Sequence, residues 1–204
     1  MAINNCLIII VSSPSGVGKT TITNKLLKKI KRSYLSVSCT TRNPRKNERH
    51  KVDYFFITKE KFFRLKKQKK FLETAKVHNN YYGTLKTELK KNNKYSEVIL
   101  LDIDWQGARN IRKKIKSNCY SFFLLPPSIA ILKRRLLKRH HDNKKLALSR
   151  LSFARKDLKY WEEYDYVYVN DKLNNCVNEI YKKINQLVIE KKQRSYFKKI
   201  VKKL

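Results

Sequence analysis

Long apolar runs, paired cysteines, glycine and acidic side chains are all scarce in this chain of 204 residues. Residues 6–11 (CLIIIV) are too few for the core of a signal peptide, and no cleavage site follows them. No stretch reaches the roughly 20 apolar residues that cross a bilayer. A cytoplasmic protein without a membrane partner is therefore expected. The four cysteines, Cys6, Cys39, Cys119 and Cys176, stand singly, with no C-x-x-C pair and no histidine at metal-ligand spacing. That argues against a disulfide framework or a zinc site. Cys6 and Cys119 open apolar runs and read as small hydrophobes. There is no internal repeat and no low-complexity linker. With 41% hydrophobic residues the chain can bury a real core, which excludes disorder throughout and points to one compact unit with smaller inserted lobes.

The shortage of acid is the largest departure. Sixteen Asp and Glu face 49 Lys and Arg, for a formal net charge of +33. Such a charge fits a nucleic-acid or anionic-membrane surface. It also fits compositional drift: the excess is mostly lysine, runs along the whole chain, and accompanies many Asn and Ile and only four Gly. We read it as drift, because a dedicated patch would be localised, and expect no specific nucleic-acid partner. In either case the field draws in polyanions, less so at high salt.

The order of patterns is that of an α/β protein. Residues 6–11 read as a buried parallel strand, 12–18 as a turn-rich loop, and 19–30 as a helix with Ile22, Leu26, Leu27 and Ile30 on one face. Residues 34–39 and 53–57 are strand-like, Phe62, Phe63 and Leu65 mark a short helix, and residues 79–83 (NNYYG) carry a turn signal. We read 37–88 as a small, mostly antiparallel lobe. Core strands are expected at 97–103, 119–125 and 166–169, with a helix through Ala108, Ile111 and Ile115. A basic helical stretch is expected over 129–160, broken at 140–145, and one or two helices over 173–204.

The loop carries the clearest chemistry. Ser13-Pro14-Ser15-Gly16-Val17-Gly18-Lys19-Thr20 resembles the phosphate loop G-x-x-x-x-G-K-[ST], with Ser13 in place of the first glycine. Gly16 and Gly18 let successive N–H groups converge on one phosphate, and the following helix adds its N-terminal partial charge. Lys19 would reach the β- and γ-phosphates of ATP, and the Thr20 hydroxyl would ligate Mg²⁺.

Phosphate loops serve many proteins, so the acceptor must be read elsewhere. Ser36-Val-Ser-Cys-Thr-Thr-Arg42 with Pro44-Arg45, Asp53-Tyr-Phe-Phe56, Phe71-Leu-Glu73, Asn80-Tyr-Tyr-Gly83, Leu101-Asp-Ile-Asp-Trp-Gln-Gly107 and Val169-Asn-Asp171 follow the loop in order. Each is weak alone. The ordered set resembles the guanylate kinase family along nearly the whole chain.

The resemblance implies a P-loop NTPase three-layer core with a parallel sheet (1–36, 89–130 and 156–204), an inserted GMP-binding lobe (37–88) and a helical lid (131–155). It implies ATP and Mg²⁺ as co-substrate and ion, and in-line transfer to GMP, with dGMP as a further acceptor. Arg42 and Arg45 would fork onto the GMP phosphate, helped by Tyr54 and Tyr82. Guanine's N1–H and N2 amine form two parallel donors that the Glu73 carboxylate would match, with Ser38 and Thr84 beside it; AMP offers no such pair. Asp102 and Asp104, alternate residues ending a core strand, would serve the acceptor and the Mg²⁺ water shell, or else cap the following turn. Arg135, Arg139 and Arg150 would be the lid arginines, although Lys138-Arg139-His140 replaces a Gly-Arg-Gly pattern. Asn170 resembles a position near the adenine. Three alternatives stay open: a kinase for another phosphorylated acceptor such as a ribose bisphosphate, a non-catalytic guanylate-kinase-like phosphopeptide module, and a nucleic-acid binder. The oligomeric state is likewise open.

Overall fold

The computed structural model describes residues 6–92, 96–139, 141 and 143–202. β1 (Leu7–Ser12) leads through the phosphate loop into α1 (Lys19–Lys29), followed by β2 (Ser33–Leu35). The next segment holds β3 (Cys39–Thr40), β4 (Phe55–Phe56), α2 (Lys59–Lys67), β5 (Phe71–Val77), β6 (Asn80–Leu85) and α3 (Lys86–Asn92). Then come β7 (Val98–Asp102), α4 (Trp105–Lys114), β8 (Cys119–Leu125), α5 (Ile129–Arg139) and α6 (Lys144–Asp157). A 3₁₀ turn, β9 (Tyr166–Val169) and α7 (Leu173–Val201) complete the chain.

The main sheet has the order β2-β7-β1-β8-β9, and every pairing in it is parallel. Alternation on β1 feeds two cores. Leu7, Ile9 and Val11 pack on one face with residues of α1, α5, α6 and α7. Ile8 and Ile10 pack on the other face with Leu89 of α3 and Ala108 and Ile111 of α4. A strand covered on both sides must be apolar at every position, which is why β1 reads as an unbroken hydrophobic run. These layers place the phosphate loop at the C-terminal edge of a central strand, where ligand crevices of parallel sheets form.

The second sheet has the order β4-β3-β6-β5. β3 and β5 run antiparallel to β6, and β4 is parallel to β3. Its own small core is built on Cys39, Phe62 and Phe71, with the two phenyl rings stacked at 4.7 Å.

Two expectations need adjustment. Residues 34–39 are not one strand: β2 joins the main sheet, β3 joins the second, and the chain crosses between them at 36–38. The turn near Asn79 is the two-residue pair His78-Asn79, both at positive φ (45° and 65°), whereas Asn80 to Gly83 lie in β6. A positive φ at both central residues matches the right-handed twist of the flanking strands. Of the one or two helices expected over 173–204, the chain forms one, Leu173–Val201. The break in the basic stretch falls between Arg139 and Lys144; His140, on which part of that expectation stood, lies outside the described residues, as do Lys203 and Leu204. No helix among the described residues is long and apolar enough to cross a membrane.

Because the second sheet has a separate core, its loss need not unfold the first. Phe62→Ala should cost about 3–5 kcal/mol locally. Limited proteolysis should then cut within 37–88 while the helical circular dichroism of the rest persists.

Candidate active site

The loop after β1 is anchored from both sides. Pro14 and Val17 are buried, Val17 within the main core. Left-handed backbone in the loop falls on Gly16 (φ 90°) and Gly18 (φ 106°), not on Ser13, so a serine at that position carries no left-handed strain. Ser13 Oγ donates to the Pro14 carbonyl at 3.0 Å. α1 begins without a capping side chain and without an acid in its first turn. Its first amides are therefore left for an external anion.

Lys19 at the start of α1 ion-pairs with Asp102 at the end of β7. Thr20 Oγ1 donates to Asp102 Oδ2 at 3.4 Å. Burial pulls the Lys19 ammonium down to about 8, with Asp104 pulling the other way. A cavity of ≈ 330 Å³ opens beside the loop, lined by Gly16, Val17, Gly18, Arg135, Arg139 and Asn170 among others. Asn170 Nδ2 donates to the Val17 carbonyl at 2.7 Å, while its buried Oδ1 has no hydrogen-bond partner. Arg135 donates to the carbonyls of Val17 and Asn170, both at 3.2 Å, and so ties α5 to the loop and to the end of β9.

The second sheet presents the other half. Glu73 on β5 pairs with Thr84 on β6 and is 4% exposed. Its Oε1 accepts from both Thr84 N and Thr84 Oγ1 at 2.8 Å. Gly107 of α4 lies so close that a Cβ there would sit 2.7 Å from Glu73 Oε2. Burial is the main cause that pushes Glu73 up to about 7; Asp104 adds to it, and the Thr84 bonds and Lys114 oppose it. Ser38 is buried beside β3. Asp104 caps α4, accepting from Gly107 N at 2.9 Å, and burial raises its carboxyl as well. The two strand-end aspartates thus separate: Asp102 faces the phosphate loop, and Asp104 caps a helix within electrostatic reach of Glu73.

Between these halves lies a basic cluster with one carboxylate. Arg42 donates to Glu48 through Nη1 at 2.7 Å and Nη2 at 2.9 Å. Its guanidinium carbon lies 5.3 Å from the centre of the Tyr54 ring, which meets Tyr82 edge-on at 6.1 Å. Arg45 N donates to Glu48 Oε2 at 2.8 Å, and its guanidinium lies 3.5 Å from Oε1. Burial opposes the charge on Arg42 and on Glu48, but their mutual bonds win, raising the one and holding the other below the usual carboxylate range. Burial lowers Arg139 and Arg150, and repulsion from Arg45 lowers both further. Arg139 therefore belongs to both halves, lining the loop cavity and feeling the charge of Arg45. Arg150 Nε is buried without a partner. Of Arg135, Arg139 and Arg150, it is Arg135 that donates to the loop carbonyls among the described residues.

Glu48 was missed by sequence reasoning. The available signal was its place as the sole acid between Arg42 and Asp53, three residues after Arg45. A lobe-to-α6 contact, His78 edge-on to Phe153 at 4.6 Å, was equally invisible.

A central parallel strand that runs through such a loop into a helix is the architecture of the P-loop NTPases. The comparisons narrow this class. The family model for guanylate kinase matches residues 6–189. A guanylate kinase of Rickettsia felis is 42% identical over 193 residues, covering 95% of this chain and 98% of its own length. One of Wolbachia pipientis wMel is 42% identical over 185 residues, covering 91% and 92%. The crystal structure of guanylate kinase from Anaplasma phagocytophilum superposes with a TM-score of 0.75 at 33% identity, over 90% of this chain and 86% of that one. This chain belongs to the guanylate kinase family.

Glu73 makes stability depend on pH with a definite sign. Its folded value near 7 exceeds the ordinary 4.5 of the unfolded chain. Between these values the folded state holds a proton that the unfolded state has released, so stability falls as pH rises through the window. The full loss is about 3 kcal/mol. Asp104, also raised, acts in the same direction, and Lys19 acts oppositely only above about 8. Glu73→Gln should therefore match the parent near pH 5 and exceed its thermal midpoint near pH 8.

Proposed function

We propose that the protein transfers the γ-phosphoryl group of ATP to GMP, yielding ADP and GDP, and accepts dGMP as well. The observation that carries the reading is Glu73: a carboxylate buried against Thr84, on a sheet opposite a phosphate loop. Guanine's two parallel donors compensate such a carboxylate, whereas an AMP base would leave it buried and unpaired. Pairing with guanine also draws Glu73 fully into its ionised form.

The division of labour follows from position. Core residues (1–36, 89–130 and 156–204) hold ATP, the lobe (37–88) holds GMP, and the lid (131–155) supplies closing charge. The amides of residues 15–20 and the Lys19 ammonium bind the ATP phosphates, Lys19 leaving Asp102 to do so. Asn170 Oδ1, which lacks a donor, suits the adenine amino group. Arg42, Arg45, Tyr54 and Tyr82 hold the GMP phosphate, and Ser38 and Thr84 flank the base. Asp104 steadies α4 beside Glu73. The oxygens of Thr20 and Asp102 fit Mg²⁺, a hard ion that takes few protein ligands and fills its shell with phosphate oxygens and water. When bound, it would neutralise charge on the ATP phosphates.

A GMP phosphate oxygen, already anionic, forms a bond to the γ-phosphorus as the bond from that phosphorus to the bridging oxygen breaks and ADP leaves. No strong base and no covalent enzyme intermediate is needed. Arg139, common to both halves, and Arg150 spread the charge of the migrating group. Arg135 acts by holding the loop and the adenine cavity together.

ADP formation measured across AMP, GMP, UMP, dTMP and a ribose bisphosphate should favour GMP by about a hundredfold or more. Highest turnover with a sugar phosphate, or phosphopeptide binding without turnover, would sink this reading. Lys19→Ala should lower kcat at least about a hundredfold without loss of fold. Glu73→Ala should weaken the use of GMP far more than the binding of ATP.

Glu48 holds the Arg42 fork in place before the acceptor arrives. Glu48→Gln should raise KM for GMP by about tenfold, with kcat and the KM for ATP little changed. Steady-state kinetics with each nucleotide varied in turn checks this.

A further inference from the structure

The last turns of α7 carry an apolar face directed away from the protein. In the first half of the helix, Cys176, Val177, Ile180, Ile184 and Leu187 are buried against the sheet. At 3.6 residues per turn that stripe continues through Lys191, Arg194 and Lys198. Ile189, Tyr196 and Ile200 instead fall within about 40° of one another on the opposite side, with Phe197 about 60° beyond Ile200 and Val201 at the edge of the cationic stripe. All five are exposed, Tyr196 by 62%, Phe197 by 59% and Val201 by 68%. The change of face comes where the guanylate kinase match ends, at residue 189.

Orientation and charge decide what could cover this face. The protein's own core meets this helix on the other side and only as far as Leu187, and cannot. Residues 190–202 carry six cations (Lys191, Lys192, Arg194, Lys198, Lys199 and Lys202) against one acid, Glu190. A second copy joined through this face would bring together two chains that each carry a net charge of +33. A nucleic-acid backbone would engage the cations and leave the apolar side chains in water. A bilayer with anionic headgroups serves both, taking aromatic and aliphatic groups at the acyl boundary while the lysines meet phosphate.

We propose that residues 189–202 form an interfacial helix that rests on anionic phospholipid surfaces. This departs from the expectation of no membrane partner, yet requires no spanning segment: the helix would lie in the surface. It is also the localised feature that the evenly spread charge does not supply.

Since so basic a chain will meet any anionic vesicle, the deciding variant must keep every charge. The full chain is co-sedimented at physiological salt with phosphatidylcholine vesicles and with vesicles containing roughly one-quarter phosphatidylglycerol. Binding is expected to the second kind only. The triple variant Tyr196→Ser, Phe197→Ser, Ile200→Ser should bind at least roughly tenfold more weakly, with an unchanged thermal midpoint. Independently, Phe197→Trp should shift its emission to the blue when the anionic vesicles are added. Unaltered binding by the triple variant, absence of the blue shift, or a vesicle-free dimer that this variant dissolves would each overturn the proposal. In the last case the face would join two copies.

Discussion

Two carboxylates keep the cations of the site in position: Asp102 on Lys19 and Glu48 on Arg42. Without them, Lys19, Arg42, Arg45, Arg139 and Arg150 would crowd a partly dehydrated crevice with little to offset their repulsion. Even so the balance stays positive, because one carboxylate serves four guanidiniums around Arg42. A site in this condition costs folding free energy and stores it as affinity for polyanions. The main sheet carries that cost. Its two packed faces fix the end of β1 and the end of β7 side by side, through the register that pairs Val11 with Asp102. The position of Lys19 thus follows from core packing as much as from the loop itself.

What could be read in advance depended on whether the signal was local. The main strands were legible because burial on both faces demands an uninterrupted apolar run, and the loop because its geometry needs particular residues at fixed spacing. Residues 34–39 misled because a chain leaving one sheet for another stays extended throughout, and sequence shows extension without showing the partner. Gly83 read as part of a turn, yet it lies inside β6, where a Cβ would meet the Phe71 ring at 2.9 Å and the Glu73 carbonyl at 3.0 Å. Asp102 and Asp104 read alike, as acceptor and Mg²⁺-shell carboxylates or as turn caps, and of the two Asp104 is the helix cap. Glu48 escaped because its role exists only between side chains that fold onto it. The change of face along α7 begins at Ile189, past the buried residues that give the helix its apolar stripe.

Glycine makes the same point from the opposite direction. The chain has only four, and each stands where a side chain would collide or twist the backbone. Gly16 and Gly18 bend the phosphate loop. Gly83 lets the lobe close around Phe71, and Gly107 lets α4 approach the Glu73 carboxylate. In a chain so poor in glycine, those that remain mark where backbone meets side chain most tightly, and all four border the crevice between the two half-sites or support it. The Gly-Arg-Gly pattern absent around Arg139 fits this view: α5 continues as helix through Arg139 and needs no glycine there.

The surface charge and the charge of the site do different work. Exposed lysines act through water and salt, which screen them beyond about 8–10 Å. They can hasten the arrival of any polyanion but cannot tell one nucleotide from another. Discrimination needs a group that loses its water, because only there does a missing partner cost more than a present one gains. Among the buried ionisable groups facing the lobe, Glu73 meets that condition, and its burial raises its proton affinity for the same reason. On the proposed reading, the burial that makes Glu73 reluctant to ionise is also what would distinguish a base with two donors from one without.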